Sequence, residues 1–144
     1  MSLSADDFMI YAKTVMAEAG GEPWLGRLAV AWVIRNRVDA DLGNDNKPDW
    51  WGEGYRDVCL KPNQFSCWRA DFPGRDRITV SDFENSASLR DCAIVCLHTL
   101  GATFKDPTRG STHYVNLRMA KPAWATERTP AVVIGQHTFY NNVK

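Results

Sequence analysis

Neither sign of charge predominates in this 144-residue chain: 17 Lys and Arg stand against 17 Asp and Glu, and the pI is near 6.8. The basic footprint of a nucleic-acid domain is therefore missing, and an anionic membrane surface is a poor partner for the same reason. Long apolar runs are also absent. Nothing approaches the ~20 residues that a membrane-spanning helix requires, so no stable membrane insertion is expected. Met1 to Asp7 contains no basic n-region and no apolar h-region, which predicts synthesis in the cytoplasm. Neither a CxxC pair nor an HExxH helix occurs, so we expect no metal site and no cofactor. Repeats and low-complexity tracts are lacking too. What is present is ordinary globular composition, 44% hydrophobic and 11% aromatic, in 16.2 kDa. That suits one compact domain over 1–144, able to bury roughly two thirds of its unfolded surface without a disulfide or metal staple.

Cysteines stand at 59, 67, 92 and 96, and a set of four allows three disulfide pairings among which sequence cannot choose. Cytoplasmic synthesis favours free thiols. Cys92 and Cys96, at i and i+4 in a helical segment, share a face where they serve as small hydrophobes.

Ser4-Ala5-Asp6-Asp7 forms a loose capping box, and Phe8, Tyr11, Ala12, Val15, Met16 and Ala19 follow with helical spacing. This first helix should stop at Gly20-Gly21, where paired glycines supply the left-handed conformation common at helix ends. Pro23 suits the first turn of a second helix, Trp24 to about Arg37, apolar on nearly every side and therefore central. Asp39 to Asp57 is polar and rich in Gly, Asn and Asp, which predicts a long irregular connection. Val58 to Trp68, interrupted by Pro62, predicts extended or turn structure. A second capping box, Ser81-Asp82-Phe83-Glu84, opens a third helix that runs to Gly101. Thr112 to Asn116 and Val132 to Tyr140 carry β-branched and aromatic residues, which predicts a small β element. The fold class is α+β, mainly helical.

Four groups of polar residues stand out: Glu18 and Glu22, Gln64 to Trp68, Thr112 to Asn116, and Gly135 to Tyr140. Glu18 lies in the last turn of its helix, where the dipole disfavours a carboxylate and partial burial would raise its pKa, as a general acid requires. From pattern alone a solvated helix-end carboxylate is the commoner case. Glu22, beside Pro23, is explained equally well by the dipole at a helix N-terminus. His113 and His137 could carry protons, although a lone histidine is more often a hydrogen-bonded core or rim residue. Trp, Tyr, Asn and Gln together hint at a carbohydrate groove.

Ala17-Glu18-Ala19-Gly20-Gly21-Glu22-Pro23-Trp24-Leu25-Gly26, followed by Val30-Ala31-Trp32-Val33-Ile34-Arg35-Asn36-Arg37, resembles the signature of the SleB-like cell wall hydrolases. The later blocks 61–68, 112–116, 122–125 and 134–140 fall in the family's order, so the resemblance spans about 10 to 140. It implies a lysozyme-like, lytic-transglycosylase-like single catalytic domain with no separate wall-binding domain. Its partner would be the glycan strand of peptidoglycan, and a monomer is expected. Glu18 takes the position of the family's catalytic glutamate. Glu22, Gln64, Phe65, Ser66, His113, Tyr114, Asn116 and His137 become substrate-binding candidates by motif position.

The bond to be cleaved is the β-1,4 link between N-acetylmuramic acid and N-acetylglucosamine. A two-carboxylate muramidase would need a partner opposite Glu18, for which Asp49, Glu53, Asp57 and Glu22 are candidates without a motif to mark them. A lytic transglycosylase can use one glutamate twice, first as acid and then as base, and the resemblance favours that route. Two other readings stay open. Cys67, with His113 or His137 and Asn141, could form a papain-like amidase or peptidase set. A non-catalytic glycan-binding module is the last, and intact Glu18 speaks against it. The resemblance also suggests a phage or prophage endolysin that reaches the wall after holin-dependent release.

Overall fold

The computed structural model describes residues 3–40, 51–52, 54–62, 64–68 and 86–143. Helix α1, Ala5–Ala19, starts where expected: the Ser4 hydroxyl accepts the Asp7 N–H at 3.1 Å, and Asp6 and Asp7 place negative charge against the first turn. Ile10, Tyr11, Thr14, Val15 and Ala19 form its buried face. It ends at Gly20, but not through a left-handed residue. Gly20 is right-handed, at φ −61°, and its N–H continues the ladder to the Met16 carbonyl at 2.8 Å. Glycine is required there for room, since a Cβ would collide with the Met16 carbonyl oxygen. The Gly20 carbonyl is capped from the next helix by Arg27 Nη2 at 2.8 Å.

Helix α2, Trp24–Asp39, is buried from Leu28 through Ile34, as its nearly continuous apolar character predicts. Tyr11 reaches it from α1, donating its hydroxyl to the Ala31 carbonyl at 2.8 Å. The polar end of α2 is an anchor. Arg35 Nη1 donates to the Thr99 carbonyl at 2.6 Å, Asn36 Nδ2 to Asp106 and the Ser111 carbonyl, and Arg37 Nε to the Thr112 carbonyl at 2.8 Å.

Helix α3, Gly54–Leu60, occupies sequence expected to be irregular or extended. Tyr55, Val58 and Cys59 are buried at i, i+3 and i+4, a one-turn apolar face too short to stand out among its polar neighbours. Pro62 falls just past its end, where it stops rather than prevents the helix. A 3₁₀ turn at Ser66–Trp68 is pinned to α1 by Trp68 Nε1, which donates to the Thr14 hydroxyl at 2.8 Å. Helix α4, Ala87–Leu100, is capped by Ser86, whose hydroxyl accepts the Leu89 N–H at 3.0 Å. The expected capping box at Ser81 to Glu84 lies outside the described residues. Both α3 and α4 pack against α1 and α2.

The C-terminal quarter adds β1 (His113–Val115), the short helix α5 (Ala123–Thr126), β2 (Val132–Ile134) and β3 (His137–Tyr140). The sheet is antiparallel in the order β1-β3-β2, with Tyr114 opposite Phe139 and Ile134 opposite His137. Gly135 and Gln136 make the two-residue turn between β2 and β3. Gly135 has φ +58° and Gln136 has no positive φ, the pattern of a type II′ turn with glycine at its first central position. All four cysteines are buried and free.

Tyr11→Phe keeps the ring but leaves the buried Ala31 carbonyl without this donor. We expect a loss of about 1–2 kcal/mol, seen in urea unfolding as a lower midpoint with an unchanged slope.

Candidate active site

Glu18 stands in the last turn of α1, facing the sheet. Tyr114 of β1 donates its hydroxyl to Glu18 Oε1 at 2.5 Å, joining helix and strand. The carboxyl is half-buried. Burial raises its pKa above the usual carboxylate range, while the Tyr114 hydrogen bond and the nearby Arg37 cation hold back part of that rise. The phenol is pushed well up in turn by its own burial and by the negative charge of Glu18, so it remains a donor.

Arg37, to which motif reading gave no role, acts electrostatically on Glu18. It is 7% exposed, a guanidinium enclosed in the core. Its Nε holds the Thr112 carbonyl, one residue before β1; Nη1 lies 3.5 Å from Gln64 Oε1; and its plane sits 5.7 Å from the Trp51 ring and 5.6 Å from the Phe65 ring. The available signal was periodicity. Val30, Val33, Ile34 and Arg37 share one stripe of an otherwise apolar helix, so the spacing alone placed a cation in the interior.

The remaining candidates separate. Phe65, expected on the groove, is 2% exposed and packs beneath Arg37, so it has almost no surface to offer a sugar. Gln64 accepts from Arg37. Asn116 Nδ2 donates to Gln136 Oε1 at 3.3 Å on the exposed rim. Sheet alternation sends Tyr114, His137 and Phe139 to one face, where their rings touch. His113 goes to the other, edge-on to Trp124, which in turn meets Tyr140. There burial and the cations Arg37 and Arg128 depress the His113 pKa to about 4. This favours the neutral ring at physiological pH, and its Nδ1 lies 2.9 Å from the Thr112 hydroxyl. His137 is likewise lowered by burial, partly offset by Glu22. Glu22, at the start of α2, binds the β2–β3 turn. Asp57 lines a cleft with Trp51, Gly52, Leu60, Lys61 and Pro62. Asp49, Glu53 and the side chain of Ser66 lie outside the described residues.

The papain-like reading finds no activated thiol. Burial pushes the Cys67 thiol up to about 11 and the Glu18 charge adds to the effect, the reverse of an activated thiolate. Asn141 Nδ2 is tied to the Arg109 carbonyl at 3.0 Å. Among the described residues, no group of three or more His, Cys, Asp or Glu is arranged to hold a metal ion.

A helical body carrying a small antiparallel sheet is an architecture shared with lytic-transglycosylase catalytic domains. The profile described as Cell Wall Hydrolase matches residues 21–140, and the chain belongs to that family. It is similar to the catalytic domain of the germination-specific lytic transglycosylase SleB from Bacillus anthracis, at 26% identity and a TM-score of 0.69 over 96% of this chain and 97% of that one. The catalytic domain of Bacillus cereus SleB matches with the same identity and TM-score, over 96% and 92%. Among curated relatives, the spore cortex-lytic enzyme of Halalkalibacterium halodurans is 30% identical over 96% of this chain, and that of Bacillus cereus 29% over 94%. The chain spans only 36% and 44% of those two proteins. The family match begins three residues after Glu18, whose assignment therefore stands on the Ala17–Gly26 motif and on the geometry above.

Two outcomes follow from these environments. A carboxyl whose folded pKa is raised contributes stability below its unfolded value and loses it as pH rises through the folded pKa. Glu18→Gln should therefore melt higher than wild type at pH 7, and the advantage should vanish near pH 3.5. Native protein should resist iodoacetamide at every cysteine until denatured, and Cys67→Ser should keep at least half of its lytic rate in a turbidity assay.

Proposed function

We propose that this chain cleaves the β-1,4 bond between N-acetylmuramic acid and N-acetylglucosamine in peptidoglycan, as a lytic transglycosylase working with one carboxyl group. The supporting observation is the surroundings of Glu18. Its neighbours are a phenol donor and a buried cation, and among the described residues no second carboxylate is paired with it. The relatives carry names that agree: spore cortex-lytic enzyme, and germination-specific lytic transglycosylase.

In this mechanism protonated Glu18 donates to the glycosidic oxygen as the bond to C1 of the muramic acid breaks, and that oxygen leaves as the hydroxyl of the next sugar. Positive charge develops on the ring, and the carboxylate left behind is stabilised by the Tyr114 hydroxyl and the Arg37 cation. The carboxylate then takes the proton from the muramic C6 hydroxyl as O6 closes on C1. Glu18 ends protonated again, and no water is consumed. The setting we infer is bacterial cell lysis by a phage or prophage endolysin, made in the cytoplasm and released to the wall. Co-expression with a holin should speed culture lysis over expression alone.

Mass spectrometry of soluble digestion products should show muropeptides ending in 1,6-anhydro-N-acetylmuramic acid. Reducing ends would assign the reaction to hydrolysis, and free stem peptides would assign it to an amidase. Glu18→Gln should lose far more than tenfold in rate, beyond the roughly 1.4 kcal/mol that a tenfold change represents, while keeping the wild-type circular dichroism spectrum.

A further inference from the structure

Glu22 follows the acid by four residues, yet its carboxylate is held on a different element. Oε1 accepts the Gln136 N–H at 3.3 Å, and the side chain is only 12% exposed. Oε2 lies against Gly135 so closely that a Cβ on that residue would sit 2.6 Å away. The turn can take this position because Gly135 has φ +58° and no side chain. Next along the strand, His137 Nδ1 is buried with no hydrogen-bond partner, 3.6 Å from Glu22 Oε1. That separation is too long for a hydrogen bond, but the negative charge favours the tautomer with its proton on Nδ1. The His137 ring lies 4.9 Å from the Tyr114 ring, edge to face at 66°, and Phe139 packs on both. Tyr114 then holds Glu18. A continuous line of contacts thus runs from Glu22 through the turn and His137 to Tyr114 and the acid.

Resting on the reading of Glu18 as the acid, we propose that Glu22 is a positioning residue rather than a sugar ligand. It seats the Gly135–Gln136 turn, sets the His137 ring against Tyr114, and so fixes the phenol that orients Glu18. The charged group that acts on the acid is Arg37, whereas Glu22 acts on His137.

Position and charge oppose each other in sign at Glu18, which makes the proposal testable. Removing the Glu22 charge acts through space to lower the Glu18 pKa, whereas loosening the Tyr114 hydrogen bond raises it. We would titrate the Glu18 carboxyl by carbon-13 NMR in the full chain without substrate, comparing wild type, Glu22→Gln, Gly135→Ala, Tyr114→Phe and the double variant Glu22→Gln/Tyr114→Phe. The first three variants should all raise the Glu18 pKa, and Glu22→Gln should add no further rise once Tyr114 is Phe. On soluble glycan strands, Glu22→Gln should lower kcat by roughly tenfold to a hundredfold, as a small misplacement does, with KM unchanged. A lower Glu18 pKa in Glu22→Gln would overturn the proposal. So would a raised KM with kcat retained, which marks a sugar ligand, or a loss equal to that of Glu18→Gln, which marks a second catalytic carboxylate. Glu22→Gln is nearly isosteric, so it keeps the test open if Gly135→Ala fails to fold. Wild type that leaves glycan uncut would defeat the enzymatic reading alone, since the titration requires no turnover.

Discussion

Arg37 places a permanent charge in the interior, between α2 and the start of β1, and much of the molecule is arranged around keeping it satisfied. Its donors reach the Thr112 carbonyl and Gln64, and its flat faces lie near Trp51 and Phe65. An uncompensated guanidinium there would be strongly destabilising, so those partners have to be in place when the chain folds. Arg35 and Asn36 make the neighbouring attachments, to the end of α4 and to the Asp106–Ser111 bend. Three consecutive residues of one helix thereby hold the C-terminal third of the chain against the helical body. The site depends on this arrangement, because Glu18 comes from the helices and Tyr114 from the sheet.

What could be read from sequence follows the lengths over which a pattern repeats. Helices α1 and α2 each run for four turns, long enough for periodicity and a cap or proline to fix their type and nearly their ends. The β character of Val132 to Tyr140 was legible from its β-branched and aromatic residues, but the Gly135–Gln136 turn that divides it into β2 and β3 was not. Helix α3 was not, because seven residues with three buried positions do not establish a period against Gly, Asp and Arg. At the site, motif order marked Glu18 as the catalytic residue and Tyr114 only as a substrate-binding candidate; it does not say which face a side chain takes, and Tyr114 is found holding Glu18. Phe65, expected on the groove, is buried instead. Strand alternation implies from sequence that His113 and Tyr114 point to opposite faces, but not which of them meets the helices. For Phe65 nothing short of the fold shows that a cation needs a ring beneath it.

In the mechanism proposed for Glu18, one glutamate acts first as acid and then as base, which sets conflicting demands on its surroundings. Burial alone would favour the protonated form so strongly that the carboxylate, once formed, would be a poor intermediate state. A fully formed ion pair would have the reverse fault and leave no proton to give. The structure adopts neither extreme. Arg37 is close enough to lower the Glu18 pKa through space, but no ion pair joins the two; among the described residues its Nε and Nη1 donate to Thr112 and Gln64. Tyr114 supplies the direct contact, and a neutral phenol stabilises the carboxylate without fixing its charge state. Such a balance is sensitive to the placement of the phenol. A displacement of a few tenths of an ångström in the Tyr114 hydroxyl changes the hydrogen bond sharply while leaving the more distant Arg37 interaction almost unaltered. On the reading of Glu18 as the acid, the position of β1 against α1 would set its proton affinity through the Tyr114 hydrogen bond.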